Sequence, residues 1–261
     1  MIKTTMRQGW KRIWPGSHTR KVKAVAKYQK IDDINPRDLL EMHAIFLKYY
    51  DNADFNTFTS DMAKKDGAVV CRDGQTGRIM GFSTVMRLKV PKHGGRQVIG
   101  LFSGDTIMER ELWGSNVLHK AFLRLAVREK LRYLGRPTYW FLISKGYKTY
   151  LLLANNAANY FPRCDKPEDP RLRDIVAAYC RMLYPNNFRD DSMVLEFGTG
   201  AQHLKADVTP ITDEMRRRSP KIRFFETRNP GWQRGNELPC VGEITLPEII
   251  RAGVKHLRRR R

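Results

Sequence analysis

The sequence predicts an α/β (α+β) fold: a mixed, mostly antiparallel central sheet flanked by helices, with basic arms at both ends. Three observations predict it. Residues 68–108 alternate with period two and are broken by two glycine-rich turns, the pattern of a three-strand antiparallel meander. Apolar residues recur at helical spacing before and after that block, over 36–50 and from Val117 to Leu134. A continuous apolar run, Thr138 to Ile143 (TYWFLI), then fits a strand buried on both faces. A chain of 261 residues, 41% of them hydrophobic, has enough apolar side chains for a sizeable core.

Taken in order, residues 1–18 read as a flexible basic arm containing Trp10 and Trp14. Lys21 to Lys27 alternates like a strand with a basic face. Asn35 and Pro36 suit the cap and first turn of a helix over 36–50, along which Leu39, Leu40, His43, Phe46, Leu47 and Tyr50 recur at helical spacing. A second short helix is expected over 56–65, with Thr57 or Ser60 as cap. Two strands follow around Asp73-Gly74-Gln75-Thr76-Gly77. A turn at Pro91–Gly95 leads into a third strand, from Gln97 to about Met108. The next helix presents Val117, Leu118, Ala121, Phe122, Leu125, Leu131 and Leu134 on one face, and Gly135 with Pro137 closes it. After the buried strand, another helix is expected to reach Phe161. Residues 164–172 form a polar connector, and 170–184 a further helix. Short strands are expected at 193–197 and within 202–211. Phe224 and Phe225 start a strand-like stretch before the Asn229-Pro230-Gly231-Trp232 turn, and 247–257 read as a terminal helix. This divides the chain into the arm, a core over 19–165, a C-terminal half over 166–254 that completes the sheet and shapes a pocket, and an Arg-rich tail over 255–261.

The formal charge of +21 is unevenly spread. Residues 1–30 hold nine basic residues and no acidic one, and Lys255–Arg261 adds five, so the ends carry +14. A tether or steering field for an acidic partner follows more naturally than a basic active site. Nucleic acid is a weaker alternative, because no RNP-type or helix-turn-helix pattern accompanies the charge. The chain lacks GxxxxGK[ST], GxGxxG after a strand, and GxSxG, so a P-loop, a dinucleotide fold and a hydrolase elbow are not expected. The six histidines never pair at i, i+4 and no CxxC occurs, so no metal site is expected. Four scattered cysteines and the absence of an apolar leader point to a reduced, cytoplasmic protein. No run approaches the ~18 apolar residues of a membrane span.

One junction, SGDTIMERELWGSNVL (103–118), takes a strand into a helix through Gly114. With the order strand, helix, helix, three strands, helix, strand, helix over residues 20–161, it resembles the GNAT acyltransferase superfamily. That resemblance implies a splayed strand end that receives the pantetheine arm of a thioester donor. It also implies a helix N-terminus whose free N–H groups meet the donor's phosphates. The implied donor contacts are Thr106, Ile107, Met108, Arg110, Gly114, Ser115, Asn116 and Ser144. The loop departs from the family's Arg/Gln-x-x-Gly-x-Gly/Ala: Glu111 replaces the basic or amide residue and Asn116 the last small one. A degenerate pyrophosphate loop on a basic protein suits a donor carried on 4'-phosphopantetheine by an acidic acyl carrier protein, as well as acyl-CoA. The expected activity is N-acyl transfer, extending to medium or long chains, to an amine of an amino acid, polyamine or peptide. A nucleic-acid-binding protein and an inactive GNAT-like binding module are the alternatives.

Attack of an amine on a thioester needs a proton acceptor, and the leaving thiolate a donor. Asp105 is the first candidate base and Glu109 the second. The resemblance places a tyrosine acid on the helix after the next strand, where Tyr150 is preferred and Tyr147 is second. Glu237 and the Asn229–Trp232 turn are candidates for a lid over the acceptor.

Overall fold

The structure, a computed structural model, describes residues 23–93, 96–247 and 249. The arm at 1–18, the tail at 255–261 and nearly all of the helix expected over 247–257 lie outside the described residues. Strand β1 (Ala24–Lys30) is followed by α1 (Pro36–Tyr49), β2 (Tyr50–Asp51) and α2 (Phe55–Ala63). The meander is β3 (Gly67–Asp73), β4 (Ile79–His93) and β5 (Arg96–Met108). Then come α3 (Val117–Arg132), β6 (Thr138–Ser144), α4 (Tyr147–Ala154) and β7 (Tyr160–Phe161). A long excursion contains α5 (Pro170–Leu183), β8 (Phe188–Arg189), β9 (Val194–Leu195), β10 (His203–Leu204), α6 (Asp213–Arg218) and α7 (Pro220–Arg228). The chain returns to the sheet as β11 (Leu238–Glu243).

The main sheet has seven strands in the order β1-β3-β4-β5-β6-β11-β7. All its pairings are antiparallel except β5 with β6, which run parallel from Ile99↔Thr138 to Ser103↔Leu142. This is the mixed, mostly antiparallel central sheet flanked by helices that the sequence predicts. One face of the sheet is covered by α3, α4 and α7, and the other by α1 and α2 at one end and α5 at the other. The close approach of β6 dictates Gly100: a Cβ there would sit 2.4 Å from the Phe141 ring.

Several local expectations shift. Asp54, not Thr57 or Ser60, caps α2 by accepting from the Thr57 N–H. Helix α4 stops at Ala154, and Tyr160–Phe161 instead pair with β11, so the aromatic end of that segment is strand. Phe224 and Phe225 lie on helix α7, started by Pro220 and capped by Ser219, rather than in a strand. In α3 the buried stripe ends with Ala126 and Glu129, while Leu131 and Leu134 are exposed. Leu131 lies off that stripe, and Leu134 lies in the turn beyond the end of the helix at Arg132. Trp232 is buried against Phe225 in the core, so the turn holding it forms no lid.

Candidate active site

The site forms where β5 and β6 part. Opposite Thr84 of β4, strand β5 carries two residues, Gly104 and Asp105, since the register runs Val85↔Ser103 and then Ser83↔Thr106. Such a bulge bends the strand and strengthens its twist. Beyond Ser103, β5 has no pairing to β6, so Gly104–Met108 have β4 on one side and an open cleft on the other. Glu109 N–H still bonds Met80 O of β4, which by strand alternation turns the Met108 carbonyl into the cleft.

The loop from this strand to α3 ends in an uncapped helix. Asn116 occupies the N-cap position and makes no side-chain cap bond. The N–H groups of the first turn of α3 therefore keep their capacity for an anion. Gly114 has φ +78, which the turn requires and a side chain would resist. A cleft of about 390 Å³ opens on the β1 side of this turn, between Ala24–Ala26 of β1 and Ser115, Asn116, Val117 and Lys120.

Trp113 fills the mouth of the splay. Its indole N–H donates to Met108 O at 2.8 Å, and its ring lies 5.9 Å from Tyr49. Two cations flank the indole, Lys148 Nζ at 3.9 Å and the Arg110 guanidinium at 5.3 Å from the ring centroid. The excursion closes over all three: Arg110 pairs with Asp207, and Lys148 donates to Val208 O. Burial beside the Arg110 charge lowers the Lys148 ammonium to about 8.

On the other face, three sheet elements converge their charges. Asp105 belongs to the β5 bulge, Lys145 follows β6, and Glu237 precedes β11. Glu237 is buried, and its carboxylate accepts from Lys145 Nζ at 3.3 Å. Burial pushes the Glu237 carboxyl up to about 7, against the pull of Lys145 and with a further push from Asp105. Burial also raises the Asp105 carboxyl. Desolvation works against the Lys145 charge, but Glu237 and Asp105 hold its ammonium above the usual lysine value. Tyr50 lies under Lys145, its ring centroid 5.4 Å from Nζ. Asp61, paired with Lys65, adds its field from α2.

Sequence reasoning placed Asp105 here but missed Lys145, and it assigned Glu237 only to a lid. The signal for Lys145 is topological: it directly follows a strand whose neighbour ends at the same level, and ligands favour the crevice outside parted strand ends.

The other expected residues scatter. Glu109 is buried behind the cleft, where it accepts from Lys48 at 2.5 Å and Tyr49 Oη at 3.0 Å, with Arg78 at 3.9 Å. It fastens the end of α1 to the loop. Tyr150 is fully buried and donates to Pro162 O, its ring against Phe224 and Phe225. Tyr147 is buried in the same core, which raises its hydroxyl to about 12. Neither tyrosine faces the charge cluster. Ser144 is buried beside the Cys240 thiol at 3.9 Å and caps nothing; Gly146 is the N-cap of α4. The Thr106 hydroxyl bonds Ser83, the Ile107 side chain enters the α1–α2 core, and Met108 offers its carbonyl.

No family model and no curated protein matches the chain. Among solved structures, it is similar to a probable N-acyltransferase from Enterococcus faecalis (TM-score 0.38, 12% identity, over 50% of this chain and 32% of the other). It is also similar to a GNAT family N-acetyltransferase from Escherichia coli in complex with CoA (0.35, 12%, 53% and 74%). A third likeness is to an acetyltransferase from Trypanosoma brucei (0.35, 19%, 55% and 100%). The chain spans about a third of the length of the first. These are likenesses of fold. No helix among the described residues is long and apolar enough to cross a membrane.

Proposed function

We propose that the chain is an N-acyltransferase, moving an acyl group from a pantetheine thioester to an amine. The observation that carries the proposal is the parting of β5 and β6 between an uncapped helix N-terminus and the Asp105–Lys145–Glu237 cluster. The donor is acyl-CoA or an acyl group on 4'-phosphopantetheine of a carrier protein. Its phosphate meets the first turn of α3, and its arm lies along Thr106–Met108, replacing the Trp113 indole on the Met108 carbonyl. The free backbone edge at the bulge supplies hydrogen bonds to the thioester end.

The acceptor is an amine of an amino acid, polyamine or peptide, drawn to the carboxylates of Asp105, Asp61 and Glu237. Its ammonium gives one proton to Glu237, whose affinity near neutrality suits that role. The neutral nitrogen forms a bond to the thioester carbon. The carbonyl electron pair becomes an oxyanion beside the Lys145 ammonium. As the C–S bond breaks, the second nitrogen proton passes to the thiolate, leaving an amide and a free thiol. Asp105 keeps Lys145 charged and oriented. The tyrosine acid is not needed, since Lys145 stabilises negative charge at the same end of the strands.

A second reading, a GNAT-like binding module without turnover, is favoured by one observation: Trp113 occupies the slot that the donor arm needs. Native mass spectrometry of the protein with an acyl-CoA panel and an acylated carrier protein separates the two. The enzyme reading expects a retained donor and, on adding amines, loss of the acyl mass with formation of the amide. A donor held without turnover across amino acid, polyamine and peptide amines supports the module. No retention of either donor class overturns both.

A further inference from the structure

We infer that the groove between α3 and the outer edge of β1 is the docking surface for an acidic carrier protein that delivers the acyl donor. The inference rests on the acyl-transfer reading above and names its partner. Lys120, Arg124 and Arg128 lie one turn apart on the exposed side of α3, spanning about 12 Å. Like charges at i, i+4 disfavour a helix, and none of the three has a carboxylate partner among the described residues. No acidic side chain lines the groove, and Lys27 of β1 adds a fourth cation.

Some exposed arginines elsewhere are matched, Arg181 by Asp190, Arg189 by Glu196 and Arg218 by Glu214, while Arg173, Arg217, Arg223 and Arg234 have no carboxylate partner among the described residues; only the α3 cations line an apolar groove in a row one turn apart. The α3 stripe is thus charge left without an internal counterpart. Beneath it the groove has a floor of small and apolar side chains, Ala24, Ala26, Ala121 and Leu125, with Leu112 at its upper end. A cationic rim over an apolar floor fits a protein segment bearing carboxylates and small apolar residues. A bare phosphate backbone has no use for the floor.

Continuity identifies which acidic protein. The groove's upper end is formed by Ser115, Asn116 and Val117, the uncapped turn where the donor phosphate is proposed to sit. A partner seated along α3 delivers a phosphate to that turn with no nucleotide attached. Arg128, two turns farther down, lies beyond a phosphate held at the first turn. In sequence, six basic residues precede Lys23, immediately before the same edge strand.

The test uses the full chain and the double reversal Arg124→Glu/Arg128→Glu, which leaves the first turn of α3 intact. Three probes are compared: a fluorescently labelled holo acyl carrier protein, acyl-CoA, and a labelled oligouridylate. The expected result is a loss of carrier affinity of about tenfold or more, with a steep salt dependence in the wild type that the variant loses. Acyl-CoA binding stays within about twofold. Carrier binding that ignores the reversal, or oligouridylate binding that alone responds to it, overturns the inference. Carrier binding sensitive to the reversal, without acyl transfer from any donor, leaves the groove standing and removes the enzyme reading. Transfer from acyl-CoA with no carrier binding does the opposite. Circular dichroism of the variant establishes that it is folded.

Discussion

Glu109 behind the cleft and Glu237 within it are both buried and both beside a lysine, yet their surroundings differ. Glu109 at the end of β5 receives Lys48 and the Tyr49 hydroxyl, with Arg78 close by. Among the described residues, Glu237 receives Lys145 alone, and it faces the like charge of Asp105. A carboxylate surrounded by donors is a fastener. One that is short of donors and repelled by a neighbour exchanges its proton near pH 7. Burial by itself does not distinguish the two; the company of each carboxylate does.

The largest effect that tests this contrast is on rate. Glu237→Gln is expected to lower kcat/KM for acyl transfer by about 10²- to 10⁴-fold, measured by initial-rate thiol release. Melting is expected at an equal or higher temperature, because the buried charge is gone. Full activity in that variant would break the comparison. Glu109→Gln should behave in the opposite way. It removes the charge paired with Lys48 and turns one of the two acceptor oxygens used by Lys48 and Tyr49 into a donor, which costs about 2–4 kcal/mol in urea titration, while kcat per folded molecule stays within a few fold.

The pH profile comes next. The wild-type rate should rise through an acid limb with a midpoint near 7, where Glu237 loses its proton. The same group works against stability there. Its folded-state affinity is raised above 4.5, so its contribution is full below pH 4.5 and is lost as pH rises through about 7. Activity and stability should therefore move in opposite directions over that window, and Glu237→Gln should flatten both. A smaller effect concerns the donor mouth: Trp113→Ala is expected to tighten acyl-CoA binding several-fold, about 1 kcal/mol by calorimetry. Weaker binding would mean that the indole holds the donor rather than its place. The smallest effect is Tyr150→Phe, which removes one buried hydroxyl bond. It should cost about 1 kcal/mol of stability and leave the rate unchanged.

Much of the fold was legible because periodicity reports directly on burial. The meander, α3 up to Ala126 and β6 follow their apolar patterns, and the Asn35–Pro36 start of α1 is in the sequence, but α1 buries Met42, Ile45, Phe46 and Tyr49 and leaves the expected Leu40 and Leu47 exposed. The FFE stretch of α7 misled because two adjacent aromatics fit strand and helix alike, and the decisive cap at Ser219 lies outside the run. The site was half legible. Asp105 could be placed from the junction, because a strand end before a helix announces itself. Lys145 and Glu237 stand far apart in sequence and meet only because β11 inserts beside β6. No local pattern encodes that neighbour. Tyr150 looked suitable by position, but whether a helical tyrosine faces a cleft or a core depends on what packs over it. Here α7 does.

The path of the chain through its sheet has a consequence for how the protein forms. β11 lies between β6 and β7, pairing Leu238 with Ser144 and Val241 with Phe161. The chain leaves the sheet after Phe161 and makes α5, α6 and α7 before it comes back. On a ribosome, β1 to β6 would emerge with the slot for β11 still vacant and one backbone edge of β6 unpaired. Closure of a loop that long is slow relative to the local meander. Glu237 enters the cluster only at that last step, so the proposed proton acceptor and the completed sheet should appear together, as one late kinetic event.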